Sequence, residues 1–138
     1  LCLQLHEENG LFPVNKDKVR AMMRRAFYRD GGVLGVIGES GKIEAMIFML
    51  VSTFWYSDQY HLEELFSYVH PDFRKSKNAV DLMGFAKWCS DQSGFPLVIG
   101  VISNERTEEK VRLYQRQFDK PMGNFFLYLA KDTKEKVA

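Results

Sequence analysis

The sequence predicts a single domain of the α/β (α+β) class, with a mixed central sheet and helices on both of its faces. Three observations lead there. Short apolar runs are interspersed with amphipathic helical stretches up to about residue 130. Two of those runs, Val33–Ile37 and Ile43–Val51, flank Gly38-Glu39-Ser40-Gly41-Lys42, which reads as a hairpin loop. A strand–helix–strand unit spans 62–102, and such a unit closes as a right-handed parallel crossover.

Leu1, Leu3 and Leu5 alternate as in a strand, while Leu1 and Leu5 also share a helix face, so residues 1–8 fit either until Asn9-Gly10 stops them. Asn15 is placed to cap a helix in which Val19, Met22, Met23, Ala26 and Phe27 form one face, ended by Asp30-Gly31-Gly32. After the hairpin and a loop holding Phe54, Trp55 and Tyr56, Leu62–Val69 reads as a strand halted by Pro71. Helical spacing resumes at Ala79, with Leu82, Phe85, Ala86 and Cys89 on one side, and Ser93-Gly94 closes it. Leu97–Ile102 is apolar apart from Gly100 and is expected as a strand buried on both faces. A charged helix follows with Val111, Tyr114 and Phe118 inward, then a last strand at Phe125–Leu129 and a solvated tail from Lys131. There is no internal repeat and no linker.

Composition excludes several classes. Nineteen Lys and Arg against eighteen Asp and Glu leave a net charge of +1, which gives no general attraction to nucleic acid or an anionic membrane. No apolar run reaches the roughly 20 residues of a membrane span. The two cysteines, Cys2 and Cys89, do not make a disulfide framework, and the chain opens without a basic signal segment. The expected compartment is the cytoplasm. No initiator Met stands at position 1, so a natural start upstream of Leu1 is expected. No His/Cys cluster has metal-ligand spacing, and Gly38–Lys42 lacks the spacing of a nucleotide loop.

The chemistry concentrates in the strand-to-helix turn at 69–79. A helix start presents unpaired amides and partial positive charge, and Arg74, Lys75 and Lys77 add three cations there. Residues alone leave two readings open, a pyrophosphate grip and a solvated basic loop.

Val69-His70-Pro71-Asp72-Phe73-Arg74, followed by Lys75–Ala79, resembles the acetyl-CoA motif of the GNAT (GCN5-related N-acetyltransferase) superfamily. There a strand ends in V-x-P-x-x-R, and a G-x-G/A stretch opens a helix whose amides hold the cofactor pyrophosphate. Leu113-Tyr114-Gln115-Arg116-Gln117-Phe118 resembles the family's second landmark, a tyrosine near the end of the last helix. The run Phe66-Ser67-Tyr68-Val69-His70-Pro71 is most similar to small GNAT proteins of tailed bacteriophages. The resemblance covers residues 1 to about 130, without the family's first strand. It departs at Lys77 and Gln117, where glycine is usual, while Ala79 keeps a small residue.

The resemblance implies acetyl-CoA as cosubstrate and transfer of its acetyl group to a primary amine, on a small molecule or a protein. It implies that Ser67, Tyr68 and Val69 face the pantetheine arm and that Arg74, Lys75, Ser76, Lys77, Asn78 and Ala79 meet the phosphates. Asn104 or Thr107 would face the cofactor arm, and Tyr114 would protonate the departing thiolate. Glu63 and Glu64, on opposite strand faces, are candidate bases, with His61 as another. His70 reads as a loop contact. Arg20, Arg24, Arg25 and Arg29 form a basic strip that reads as a solvated helix face or as a surface for an acidic substrate or partner. Phe54, Trp55 and Tyr56 are a substrate wall, an oligomer contact (a homodimer included) or a core edge. The alternative function is a non-catalytic binding, virion or scaffold module on the same fold.

Overall fold

The structure, a computed structural model, describes residues 1–101 and 107–131. The chain divides into two compact units, one of Asp17–Gly100 with Leu1, the other of 2–16 and 101–138.

The first unit holds the sheet. Helix α2 (Lys16–Phe27) enters it and is followed by β1 (Gly32–Glu39), β2 (Lys42–Thr53), β3 (Tyr60–Val69), a short 3-10 turn at Pro71–Phe73, α3 (Asn78–Ser93) and β4 (Leu97–Val98). The sheet order is β1-β2-β3-β4. Strands β1, β2 and β3 pair antiparallel, and β4 joins β3 in parallel through Leu62↔Leu97 and Glu63↔Val98. The expected mixed sheet and parallel crossover are therefore present. The hairpin is tighter than the sequence suggests. Glu39 and Lys42 pair, leaving Ser40-Gly41 as the turn, with Gly41 at φ +82°.

Strand β2 is the centre of the core. Ala45, Met46, Ile47, Phe48 and Met49 are buried in succession, because sheet neighbours flank the strand on both sides and α3 packs on one of its faces. Gly35 identifies the α3 face, since a Cβ there would lie 2.5 Å from the Phe85 ring. Gly32 identifies the α2 face, where a Cβ would meet Phe48 and the Ala26 backbone. Helix α3 buries Leu82, Met83 and Ala86, with Phe85 and Cys89 half-buried. Burial raises the Cys89 thiol pKa. Gly94, at φ +73°, ends the helix in the left-handed conformation.

The second unit contains α1 (Cys2–Asn9) and α4 (Thr107–Phe118). Residues 2–9 are thus helical, which resolves the opening ambiguity. Tyr114 is buried and Val111 and Phe118 half-buried, as the spacing predicts.

Two expected strands are corrected. Leu97–Ile102 contributes only Leu97 and Val98, both half-buried, and Ile102 lies outside the described residues. Its described pairing is with β3 alone, so it is not enclosed as a central strand would be. Residues 125–129 form no strand, and Phe125, Phe126 and Tyr128 are exposed. A strand needs a ladder partner. The described elements of this unit are both helices. Phe27 is also exposed rather than inward.

Candidate functional site

Strand β3 carries the site, and an irregularity in it decides which way its side chains face. Phe48 pairs with Phe66, but the next residue, Met49, pairs with Glu64, so Leu65 is an extra residue in β3. Such a bulge bends a strand and shifts its alternation by one residue. Cross-strand partners share a face. Glu64 therefore lies with Met49, Ser67 and Ile47 on the α3 face. Glu63 lies with Leu50, Phe66 and Tyr68 on the α2 face. Both glutamates are half-buried. The described ladder to β4 involves only Leu62 and Glu63, whereas the ladder to β2 continues to Val69↔Ala45. Ser67 and Val69 are half-buried and Tyr68 is buried.

Beyond Val69 the chain folds into a hydrogen-bonded loop. The His70 amide donates to the Glu44 carbonyl at 2.7 Å, fastening the loop to β2. His70 Nδ1 accepts from the Asp72 amide at 3.2 Å and caps the 3-10 turn, the loop contact expected of it. Ser76 Oγ donates to the Phe73 carbonyl at 2.5 Å and accepts from the Asn78 amide at 3.1 Å. The Ser76 amide itself donates to Phe73 at 3.2 Å. Buried Asn78 sends Nδ2 to Glu44 Oε1 at 3.2 Å. Ser76 and the Asn78 side chain thus hold the loop together. Glu44, which receives both fastenings, was missed in the sequence because its partners are 26 and 34 residues away.

The donors left over are backbone amides. Lys77 precedes the helix without a side-chain cap. Among the described residues, the amides of Lys75, Lys77, Ala79 and Val80 have no acceptor. Together with the exposed Lys75 and Lys77 side chains they form a cationic cradle of a kind suited to phosphate. Val80 was not among the sequence candidates. Lys77 sits at φ −87°, ψ 11°, a conformation open to any L-residue, so the backbone itself does not call for glycine there.

Arg74 is half-buried and turns back on the strand. Its Nε donates to the Val69 carbonyl at 3.2 Å, and its guanidinium lies 5.5 Å from the Tyr68 ring centroid. Arg74 links the loop to β3 as well as adding charge beside the cradle.

Tyr114 lies in the second unit, edge-on to Phe118 at 6.1 Å, and Thr107 opens α4 there, exposed. Asn104 lies outside the described residues. Arg20 and Arg25 make exposed ion pairs with Asp17 and Asp30, as a solvated face would. Among the described residues no group of His, Cys, Asp or Glu is arranged to hold a metal, and no helix is long and apolar enough to cross a membrane.

No protein-family model matches the chain, and no curated protein matches it in sequence. Solved structures do match in fold. AAC(6')-Iy, bound to the bisubstrate analogue CoA-S-monomethyl-acetylneamine, superposes with a TM-score of 0.66 at 15% identity, over 88% of this chain and 84% of that one. A GCN5-related N-acetyltransferase from Ralstonia eutropha JMP134 gives 0.64 at 20% identity, over 82% and 74%. The aminoglycoside 6'-N-acetyltransferase AAC(6')-Ih from Acinetobacter baumannii gives 0.63 at 12% identity, over 88% and 84%. The fold is that of the GNAT acetyltransferases.

Proposed function

We propose that the chain is an acetyl-CoA-dependent N-acetyltransferase acting on a primary amine. The observation that carries this reading is the cradle of four amides and two lysines directly after a bulged strand. The cofactor pyrophosphate accepts from the amides of Lys75, Lys77, Ala79 and Val80. The pantetheine arm runs back along Ser67–Val69 in the manner of an added strand, and the acetyl group reaches the bulge. One solved structure of this fold contains a CoA-linked bisubstrate analogue and another CoA, which agrees with that assignment.

Transfer needs a neutral amine. Glu63 or Glu64 takes the ammonium proton, directly or through water, and the freed lone pair attacks the thioester carbon. The carbon–sulfur bond breaks, and the thiolate takes a proton whose source, by the family resemblance, is the Tyr114 phenol. The non-catalytic alternative drew its support from lysine in place of glycine at position 77. Its φ of −87° means only that the turn itself does not demand a glycine, so the assay below divides the two readings.

The test is a thermal shift with acetyl-CoA followed by turnover on a panel of amines. Saturating acetyl-CoA at 100 times its Kd raises stability by about 2.7 kcal/mol if it binds only the native state. No shift and no turnover would return the chain to the binding-module class.

A further inference from the structure

Helix α3 turns one side to the sheet, where Leu82, Met83 and Ala86 are buried. At 3.6 residues per turn its opposite side carries Val80, Gly84 and Trp88, flanked by Lys77, Asp81, Lys87 and Asp91. Val80 is 45% exposed and Trp88 57%. The indole stacks on Phe85 at 6.2 Å and 21°, which holds it in place. Between the two, Gly84 leaves the helix backbone bare, with no atom within 4 Å of the place a Cβ would take. An exposed valine and indole on either side of a bare glycine form a surface that a second helix can approach closely.

The charges on that side say which helix. They are arranged symmetrically about Gly84 in a way that suits an antiparallel copy of α3. In an antiparallel pair crossing at residue 84, positions equally far from it on either side come to the same level. Val80 then comes level with Trp88 of the second copy, Lys77 with its Asp91, and Asp81 with its Lys87. Each charge meets the opposite sign. A parallel pair would set Lys77 beside Lys77 and Asp91 beside Asp91. Within a single chain two of these charges are poorly placed. Lys77 stands at the N-terminus of α3 and Asp91 in its last turn, each at the end of the helix dipole that disfavours it. Among the described residues neither forms an ion pair. In the antiparallel pair each lies beside an opposite charge and the opposite helix end. The loop ahead of β3 is another exposed aromatic surface, where Trp55 and Tyr56 stand out and Phe54 stacks on buried His61. It has no such symmetry, since no cation between Phe54 and Tyr60 answers Asp58.

We infer that α3 is a self-association surface, pairing two copies of this chain antiparallel about a two-fold axis at Gly84. The pair is a transient one, because a single helix face buries less than the roughly 1,200 Å² at which standard stable interfaces begin. Lys77 also borders the cradle, so CoA and the second copy would compete for it, and the association is measured without CoA. The inference does not rest on the acetyltransferase reading.

Sedimentation velocity over a series of protein concentrations tests it. The parent is expected to shift from one copy toward two as concentration rises, and less so with added salt. Trp88→Ala removes the central aromatic and should weaken association about tenfold or more. Gly84→Gln should weaken it as much by blocking the crossing. Glutamine is a better helix former than glycine, so the melting temperature of the dilute Gly84→Gln chain should hold or rise, which separates lost pairing from lost folding. Asp91→Lys should abolish pairing, and Lys77→Asp added to it should restore pairing, a rescue that a structural role for either residue would not produce. Trp55→Ala should pair as the parent does. A parent that stays single at every concentration overturns the inference. So does association that Gly84→Gln leaves unchanged, that the double charge reversal fails to restore, or that Trp55→Ala abolishes, the last of which would move self-association to the loop ahead of β3.

Discussion

Arg74→Ala separates the fastening that the structure gives to this side chain from the phosphate contact proposed for it. Its Nε bond to the Val69 carbonyl, at 3.2 Å, is charge-assisted but half-exposed, so about 1 kcal/mol is a fair value for its loss. The cation–π contact with Tyr68, at 5.5 Å, adds about 0.5–1 kcal/mol. The variant should therefore melt about 3–8 °C below the parent, given the temperature shift per kcal/mol for a domain of this size. Affinity for CoA should fall as well, because a phosphate contact by an arginine is worth ~1.5–3 kcal/mol, roughly tenfold or more. Arg74→Lys divides the two contributions. An ammonium keeps the charge but cannot reproduce the Nε geometry or the planar contact with Tyr68. It should restore part of the affinity and little of the melting temperature, and the restored part should shrink with added salt. Calorimetric titration with CoA and a thermal melt on all three proteins provide the measurements. If Arg74→Ala binds CoA as the parent does while melting lower, the arginine is only a loop fastener and the phosphate assignment falls.

Other substitutions test the site and its support. Lys77→Gly should weaken CoA binding a few-fold through the lost charge, since the backbone there needs no glycine; tighter binding in a titration would mean the lysine obstructs the cradle. Gly35→Ala places a methyl 2.5 Å from the Phe85 ring and should cost about 1–3 kcal/mol in urea unfolding, whereas Gly84→Ala, in open space on α3, should stabilise by about 0.4–1 kcal/mol. Tyr114→Phe keeps the ring and removes the acid, so steady-state kinetics should show turnover reduced ~10²–10⁴-fold with CoA affinity retained; parental turnover would make Tyr114 a core aromatic.

What was legible in the sequence was local. The hairpin follows from two apolar runs around glycines, the buried β2 from an unbroken apolar stretch, and α3 from its apolar spacing. The start of the cradle was marked by Pro71 and the cations after it. What was not legible depends on partners distant in the chain. The extra residue Leu65 shows only when β2 is laid against β3, although Glu63-Glu64-Leu65-Phe66 does break strict alternation. The burial of His61 under Phe54, the return of Arg74 to Val69 and the tie from Asn78 to Glu44 are likewise pairings that no spacing rule encodes. The strand expected at 125–129 failed for the converse reason. Its pattern is locally strand-like, but a strand exists only with a partner, and none of the described residues pairs with it.

The loop after β3 suggests how the proposed site would bind CoA without a glycine at position 77. An anion gains most from donors already fixed in place, since ordering them on binding would cost conformational entropy. Here the amides divide into two sets. Those of His70, Asp72, Phe73, Ser76 and Asn78 are occupied by carbonyls or side chains of the chain itself. They hold the loop's shape. Those of Lys75, Lys77, Ala79 and Val80 have no acceptor among the described residues and are the donors proposed for the phosphates. Ser76 belongs to the first set through both its amide and its hydroxyl, and Asn78 through its amide and its side chain. A glycine would allow close approach by removing a side chain, but it would also loosen the turn. A lysine at φ −87° keeps the turn in an ordinary conformation and adds a cation beside the open amides. The cradle therefore exchanges backbone permissiveness for rigidity and charge, and CoA affinity in Lys77→Gly measures which of the two matters more.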